Sequence, residues 1–279
     1  AEQIKLFITG GVFDAEVEGE PGVLRMPLDI AQAVCDEAHK LGLRTSAHIE
    51  STEGVEVGLK AGVDTIEHGA PLTDELLKLF KKNGLGNASS LTCTLSPALP
   101  FAVLSPEKTH STHVQKVNGR VVYEGVATAT RQALANGIPV GLGTDSACPY
   151  VTHYDMWREV VYFQRHTGVT PEFALHTATL KNAQLLGVAN ETGSIETGKS
   201  ADFIVLDVNP LDDLCALRNV EQVYMAGKPV KYKAKHLPKI DAELDGIMDG
   251  LDNDPFVSEW NIAGEKKSLN PFAKRGAKE

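Results

Sequence analysis

The sequence predicts an α/β protein in which buried parallel strands alternate with helices. Short apolar runs of strand length are followed, repeatedly, by segments whose apolar residues recur every three to four positions. The strand-like runs read as buried, which is the mark of a parallel sheet covered by helices. Five such strands fall within the first 143 residues, before the pattern changes. Periodicity alone leaves two architectures open, a doubly wound open sheet and part of a barrel.

The elements follow in order. Ile4 to Thr9 is strand-like and ends at Gly10-Gly11. Pro27 and Asp29 open a helix marked by Ile30, Val34, Ala38 and Leu41, and Gly42 closes it. Arg44 to Ile49 is the second strand. Glu53 to Ala61 is a helix stopped by Gly62, and Val63 to Glu67 is the third strand. Thr73 is placed to cap a helix over Asp74 to Lys82, with Asn83-Gly84 as its stop. Asn87 to Thr94 is a fourth strand. Leu95 to Asn118 reads as a long irregular stretch, the kind of loop that binds something or moves. Val121 to Ala135 is helical, and Pro139 to Gly143 is a fifth buried strand. Helical patterns resume over Tyr154 to Arg165, Pro171 to Thr177 and Leu180 to Leu186.

Then the pattern changes to a small β unit, with strands at Ala201 to Asp207, Val220 to Met225 and Val230 to Tyr232. From Lys233 onward the chain is polar. Asp241 to Glu259 is acidic without Lys or Arg, and Glu265 to Glu279 is basic and interrupted by Gly and Pro. This predicts an exposed, partly helical, solvated tail. The domain organisation expected is a helix-covered sheet over residues 1–192, a β unit over 193–232 and the tail over 233–279.

Composition fits a globular chain. The 279 residues are 42% hydrophobic and 23% charged, enough for a sizeable core. Aromatics are only 6%, so Val, Leu, Ile and Ala must fill that core. With 27 Lys and Arg against 37 Asp and Glu, the formal charge of −10 argues against nucleic acid or anionic membrane as the partner. No apolar run approaches the roughly 18–20 residues of a membrane span, and no secretory pattern opens the chain. Cys35, Cys93, Cys148 and Cys215 are far apart, which predicts free thiols and a reducing, cytoplasmic setting.

The chemistry-bearing residues share one position type. His48 lies at the C-terminal end of the second strand, His68 just past the third and Asp145 just past the fifth; Lys5 lies inside the first. Parallel strands open their C-terminal ends on one side, where sites are built. Imidazoles with a carboxylate suit a divalent metal such as zinc. Each also has a duller role: a strand-end His in a satisfied structural contact, Asp145 as a helix cap, Lys5 as an edge-strand surface residue. Ile4, Leu6 and Ile8 face one way and Lys5, Phe7 and Thr9 the other. In a strand covered on both faces, an ammonium at Lys5 would be costly unless paired or modified.

These residues resemble a known set. Lys5 in Ile-Lys-Leu-Phe-Ile-Thr-Gly-Gly, His48 in Ser-Ala-His-Ile-Glu-Ser, His68 in Ile-Glu-His-Gly-Ala and Asp145 in Gly-Thr-Asp-Ser resemble the metal ligands of the amidohydrolase superfamily. Gly193-Ser194-Ile195-Glu196-Thr197-Gly198-Lys199-Ser200-Ala201-Asp202-Phe203 is similar to the stretch that re-enters that family's β-sandwich. The resemblance covers residues 1 to 232 and is nearest to the imidazolonepropionase-like and Xaa-Pro dipeptidase-like (prolidase-related) enzymes. It implies a (β/α)₈ TIM barrel with two divalent metal ions, zinc by default, and an N-carboxylated Lys5 bridging them. His48 and His68 would hold the second metal. Asp145 would hold the first and move the proton, and His153 would contact substrate. The implied activity is hydrolysis of a carbon–nitrogen bond in a small amide, cyclic amide or dipeptide-like substrate by metal-bound hydroxide. Oligomerisation is left open.

The family's His-x-His pair on the first strand has no counterpart here, and the carboxylated lysine, a fourth-strand residue in the family, sits in the first strand present. The expectation is that residues 1–192 hold strands four to eight of the barrel, followed by the C-terminal part of the β-sandwich. A scaffold without catalysis, lacking the first metal, is the competing reading. A doubly wound nucleotide-binding domain lacks its Gly-x-Gly-x-x-Gly or phosphate-loop motif.

Overall fold

The alternation of strands and helices is realised in a computed structural model that describes residues 2–80, 89–231 and 234–262. The expected helix stop at Asn83-Gly84, the strand start at Asn87, the end of the third β-unit strand at Tyr232 and the basic terminus from Glu265 lie outside the described residues. Contacts divide the chain into two compact units, 1–140 and 141–279.

In the first unit β1 (Gln3–Phe7), α1 (Leu28–Lys40), β2 (Arg44–Ile49), α2 (Thr52–Ala61), β3 (Thr65–His68) and α3 (Asp74–Leu79) follow one another, then β4 (Ser90–Cys93). β1 to β4 pair in parallel, with Phe7 opposite His48 and His48 opposite Glu67. β5 (Val140–Leu142) begins at the last residue of this unit and completes the sheet order β1-β2-β3-β4-β5. Leu6, Ile8, Ala47, Ile49 and Ile66 are buried. α2 lies against that side: a Cβ built on Gly58 would stand 2.7 Å from Ile49 Cδ1 and 3.6 Å from Ile8 Cδ1, so the helix sits close because Gly58 has no side chain. Asp64 fastens the loop before β3, its Oδ2 accepting from Thr45 N–H, Thr45 Oγ1 and His39 Nε2. Cys35, on the buried face of α1, has its thiol pKa pushed up to about 11 by that burial.

The stretch from Leu95 to Asn118 is not an irregular loop. It forms α4 (Leu99–Val103), α5 (Pro106–Thr109) and the first turns of α6 (His113–Ala135). Pro100 and Pro106 stand in first turns, where their missing N–H costs nothing, so they begin helices here instead of breaking them. Thr112 and Gln115 form a reciprocal capping box that starts α6 well before Val121. Lys116 Nζ donates to the carbonyls of Ala102 and Leu104 and ties α4 to α6.

In the second unit α7 (Met156–Thr167) and α8 (Pro171–His176) precede a π-helical turn over Thr177–Lys181 that runs straight into α9 (Asn182–Leu186). The two predicted helices are therefore one continuous run. Asn182 explains its placement, since its side-chain amide accepts from Leu142 N–H and donates to Leu142 C=O, acting as a strand partner for the edge of β5. β6 (Phe203–Leu206), β7 (Val220–Met225) and β8 (Lys228–Pro229) form a separate antiparallel sheet. The third strand thus falls just before the expected Val230.

The predicted solvated tail is corrected over its described part. α10 (Pro238–Gly250), a 3-10 turn over Leu251–Asn253 and α11 (Pro255–Ile262) bury Leu244, Ile247, Met248, Leu251 and Val257. Their acids are used as well: Asp245 pairs with Arg158 and Arg218. The segment packs within the second unit because an apolar stripe lies beneath the acidic surface. Among the described residues, no helix is long and apolar enough to cross a membrane.

Candidate metal centre

The site is built at the C-terminal ends of β2 and β3. On β2, alternation sends Ala47 and Ile49 into the core beneath the helices and His48 to the opposite face. The His48 ring stacks on Phe7, its partner in the register, with centroids 4.4 Å apart and planes at 7°. Its Nε2 lies 3.3 Å from Gly10 C=O and 4.0 Å from Glu50 Oε1. Glu50 follows two residues later. Its Oε2 accepts from Val12 N–H at 3.1 Å and its own N–H donates to Thr9 Oγ1.

His68 reaches the same place by a different device. In register it lies opposite Ile49, whose side chain enters the core. Its φ of +69° is left-handed, a conformation costing a non-glycine residue on the order of 1–3 kcal/mol. With this turn its ring meets His48 edge-on, 4.7 Å between centroids. Nδ1 of His68 is 2.6 Å from Thr94 Oγ1, just past β4. A neutral ring that donates through Nδ1 presents the lone pair of Nε2, the arrangement by which metal-binding imidazoles are oriented. Burial holds the His68 pKa well below its usual value, helped by the nearby charges of His48 and Lys5.

His48, Glu50 and His68 each offer a ligand atom, and these atoms lie within 4.8 Å of one another. Two imidazole nitrogens and one carboxylate oxygen suit a divalent transition metal, and a neutral buried imidazole is the protonation state that binds one. Glu50 also borders a cavity of about 510 Å³ walled by Pro21, Leu24, Ala70, Pro71 and Val122, room for a small molecule.

The sequence candidates divide as follows. His48 and His68 come together. Lys5 shares their unit and its charge reaches His68, but it is exposed, not buried. Phe7, on the same face of β1, is 50% exposed. Asp145 and His153 belong to the second unit. Asp145 is exposed just beyond β5, with φ +55° and Cys148 Sγ–H donating to its Oδ2. His153 is exposed ahead of α7. Glu50 is the residue the sequence reading passed over. The signal was its i, i+2 relation to His48, which sets both on one side of an extended chain.

Gly22 keeps the carboxylate in place. A Cβ there would fall 2.4–2.6 Å from the backbone of Glu50 and Ser51, which cannot yield as a flexible side chain could. Gly22→Ala is expected to cost about 1–3 kcal/mol and to weaken metal binding; urea unfolding and metal titration of the variant check both.

The family model described as the amidohydrolase family matches residues 1–230. The chain belongs to the amidohydrolase family. Among curated relatives, ochratoxinase of Aspergillus niger is 26% identical over 235 residues, covering 83% of this chain and 46% of that protein. Imidazolonepropionase of Streptococcus sanguinis is 27% identical over 240 residues, covering 82% and 47%. Among solved structures, a candidate prolidase from Bifidobacterium longum superposes with a TM-score of 0.83 at 43% identity, over 89% of this chain and 60% of that one. A Xaa-Pro dipeptidase with methionine in its active site follows at TM-score 0.70 and 29% identity, over 82% and 54%. This amidohydrolase-family chain spans about half the length of the curated relatives it matches. Family and relatives are of the hydrolase type, and the family is generally metal-dependent.

Proposed function

We propose that this protein is a metal-dependent hydrolase of carbon–nitrogen bonds in small amide, cyclic amide or dipeptide-like substrates. The observation that carries the reading is the convergence of His48, Glu50 and His68. Relatives named as a Xaa-Pro dipeptidase and an imidazolonepropionase support the bond class.

Within this reading, residues 1–192 are strands four to eight of a TIM barrel, 193–232 belong to the β-sandwich and 233–279 form the C-terminal segment. His48 and His68, with Glu50, hold the divalent ion, zinc first by donor type. Such an ion polarises a substrate carbonyl and lowers the pKa of a coordinated water. Thr94 fixes the ring of His68, Gly10 and Phe7 fix that of His48, and the backbone N–H of Val12 orients Glu50. Lys5, carboxylated, and Asp145 are assigned as further ligands on their motifs alone. Asp145 would pass a proton to the leaving nitrogen, and His153 would contact substrate.

The test is an assay of the full-length protein against Xaa-Pro dipeptides and N-acyl amino acids, with metal analysis. Wild type is expected to hydrolyse one class in a chelator-sensitive way. Asp145→Asn should lose at least about a hundredfold in kcat, the loss typical for a general acid or base. Full activity after chelation, or in Asp145→Asn, would overturn the assignment.

A further inference from the structure

The geometry points to Leu237, Asp241 and Asp245 as a strap that positions the loop carrying Asp145, acting through Tyr154 and Arg158. This deepens the functional reading above, because it supposes that Asp145 acts there.

The loop from Gly143 to Asp155 is strained. Asp145, Ala147 and Tyr150 all have left-handed φ values, +55°, +85° and +67°. Each costs on the order of 1–3 kcal/mol for a non-glycine residue and persists only where the surroundings hold it. The interior of the loop is tied to itself. Cys148 N–H donates to Asp145 C=O, Val151 N–H to Cys148 C=O and Ala147 N–H to Val151 C=O. Such a unit still needs fixed ends. The first end is β5, clamped at Leu142 by Asn182.

The second end is held by the C-terminal segment. Tyr154 Oη donates to Asp241 Oδ1 at 3.0 Å and accepts from Leu237 N–H at 2.8 Å. The ring of His236 lies against Tyr154, 4.3 Å between centroids, and its Nδ1 is 3.3 Å from Asp241 Oδ2. One turn further along α10, Asp245 accepts from Arg158 Nη2 at 2.8 Å, and Arg158 also pairs with Asp155 at 3.2 Å. Arg218 reaches both oxygens of Asp245, and both guanidiniums lie over the ring of Trp157. So Asp241 and Asp245, four residues apart on one helix, grip Tyr154 and Arg158, four residues apart where the loop becomes α7. The family match ends at residue 230, before any residue of the strap. A segment beyond the residues matched by the family model therefore fixes one end of a loop that bears a family motif.

The experiment measures hydrogen exchange of residues 145–153 in the full-length protein, with steady-state hydrolysis of Met-Pro as the kinetic probe. Tyr154→Phe and Asp241→Ala each remove the anchor. Asp241→Asn keeps an acceptor for Tyr154 and serves as the rescue. In the first two, loop amides should exchange about fivefold faster, the factor that one net hydrogen bond represents. Their kcat should fall about tenfold with KM changed less than about twofold, as a misplaced group gives. Asp241→Asn should stay near wild type in both. Unchanged exchange in Tyr154→Phe and Asp241→Ala overturns the strap, as does faster exchange with unaltered kcat. A wild-type protein that hydrolyses none of the probes sinks the hydrolase reading, while the exchange data still decide whether the strap holds the loop.

Discussion

His68→Asn is expected to abolish metal-dependent hydrolysis while leaving the fold close to wild-type stability. The two halves of this result have separate physical causes. His68 stands at φ +69°, where Asn is among the few side chains that sit with little strain. The Asn amide is also polar and short enough to stay near Thr94, so the hydroxyl is not stranded in an apolar hole. Unfolding free energy should change by no more than about 1 kcal/mol. The lone pair of the imidazole is gone, however, and with it one of the three donors that converge with His48 and Glu50. Even deleting a hydrogen-bond partner of a ligand commonly costs about 10–100-fold in affinity or activity, so loss of the donor itself should exceed the upper end. Metal content by mass spectrometry, activity and urea unfolding together give the answer. A merely structural His68 would reverse the pattern, with stability falling and metal content untouched.

Why this site was half visible in the sequence follows from the same geometry. His48 could be read because it lies near the C-terminal end of an ordinary strand whose parity is legible. Its convergence with His68 could be suspected only from strand-end position, since simple alternation puts His68 on the helix side; the left-handed turn is a tertiary feature with no periodic signature. Glu50 stands in view inside Ser-Ala-His-Ile-Glu-Ser, two residues from His48 and one past the strand end, where the i, i+2 parity still carries but no strand pattern draws attention to it. For Lys5 the cost argument for a buried ammonium assumes covering on both faces, whereas Lys5 and Phe7 stand exposed on one face of β1. The scaffold was more transparent. Thr73 caps α3 and Gly62 ends α2 as read, because these signals are local hydrogen bonds and backbone preferences. The helices between Leu95 and Asn118 are harder to read, because prolines such as Pro100 and Pro106 mark a helix start as readily as a break.

The tail gives the second large effect. Ile247→Ala is expected to destabilise the protein by about 2–5 kcal/mol, whereas Asp249→Ala, two residues away, should change it by less than about 0.5 kcal/mol. Leu244, Ile247, Met248 and Leu251 stand at i, i+3, i+4 and i+7, and all four are buried, while Asp249 is exposed. The stripe was present in the sequence, but the acids around it dominated the reading. Charge density reports what the outer face of a helix does in water and says nothing about the inner face. The acids are in part what allows docking, since Arg158 is almost fully buried and Asp245 supplies the charge that meets it. Chemical denaturation of the two variants separates the cases. A solvated appendage would make both substitutions neutral, and a packed one makes only the inward-facing position costly. The steepness of the transition adds a further check. If α10 unfolds with the rest of its unit, Ile247→Ala lowers the midpoint and keeps the denaturant dependence; a segment that peels away first would appear as a separate, shallower transition.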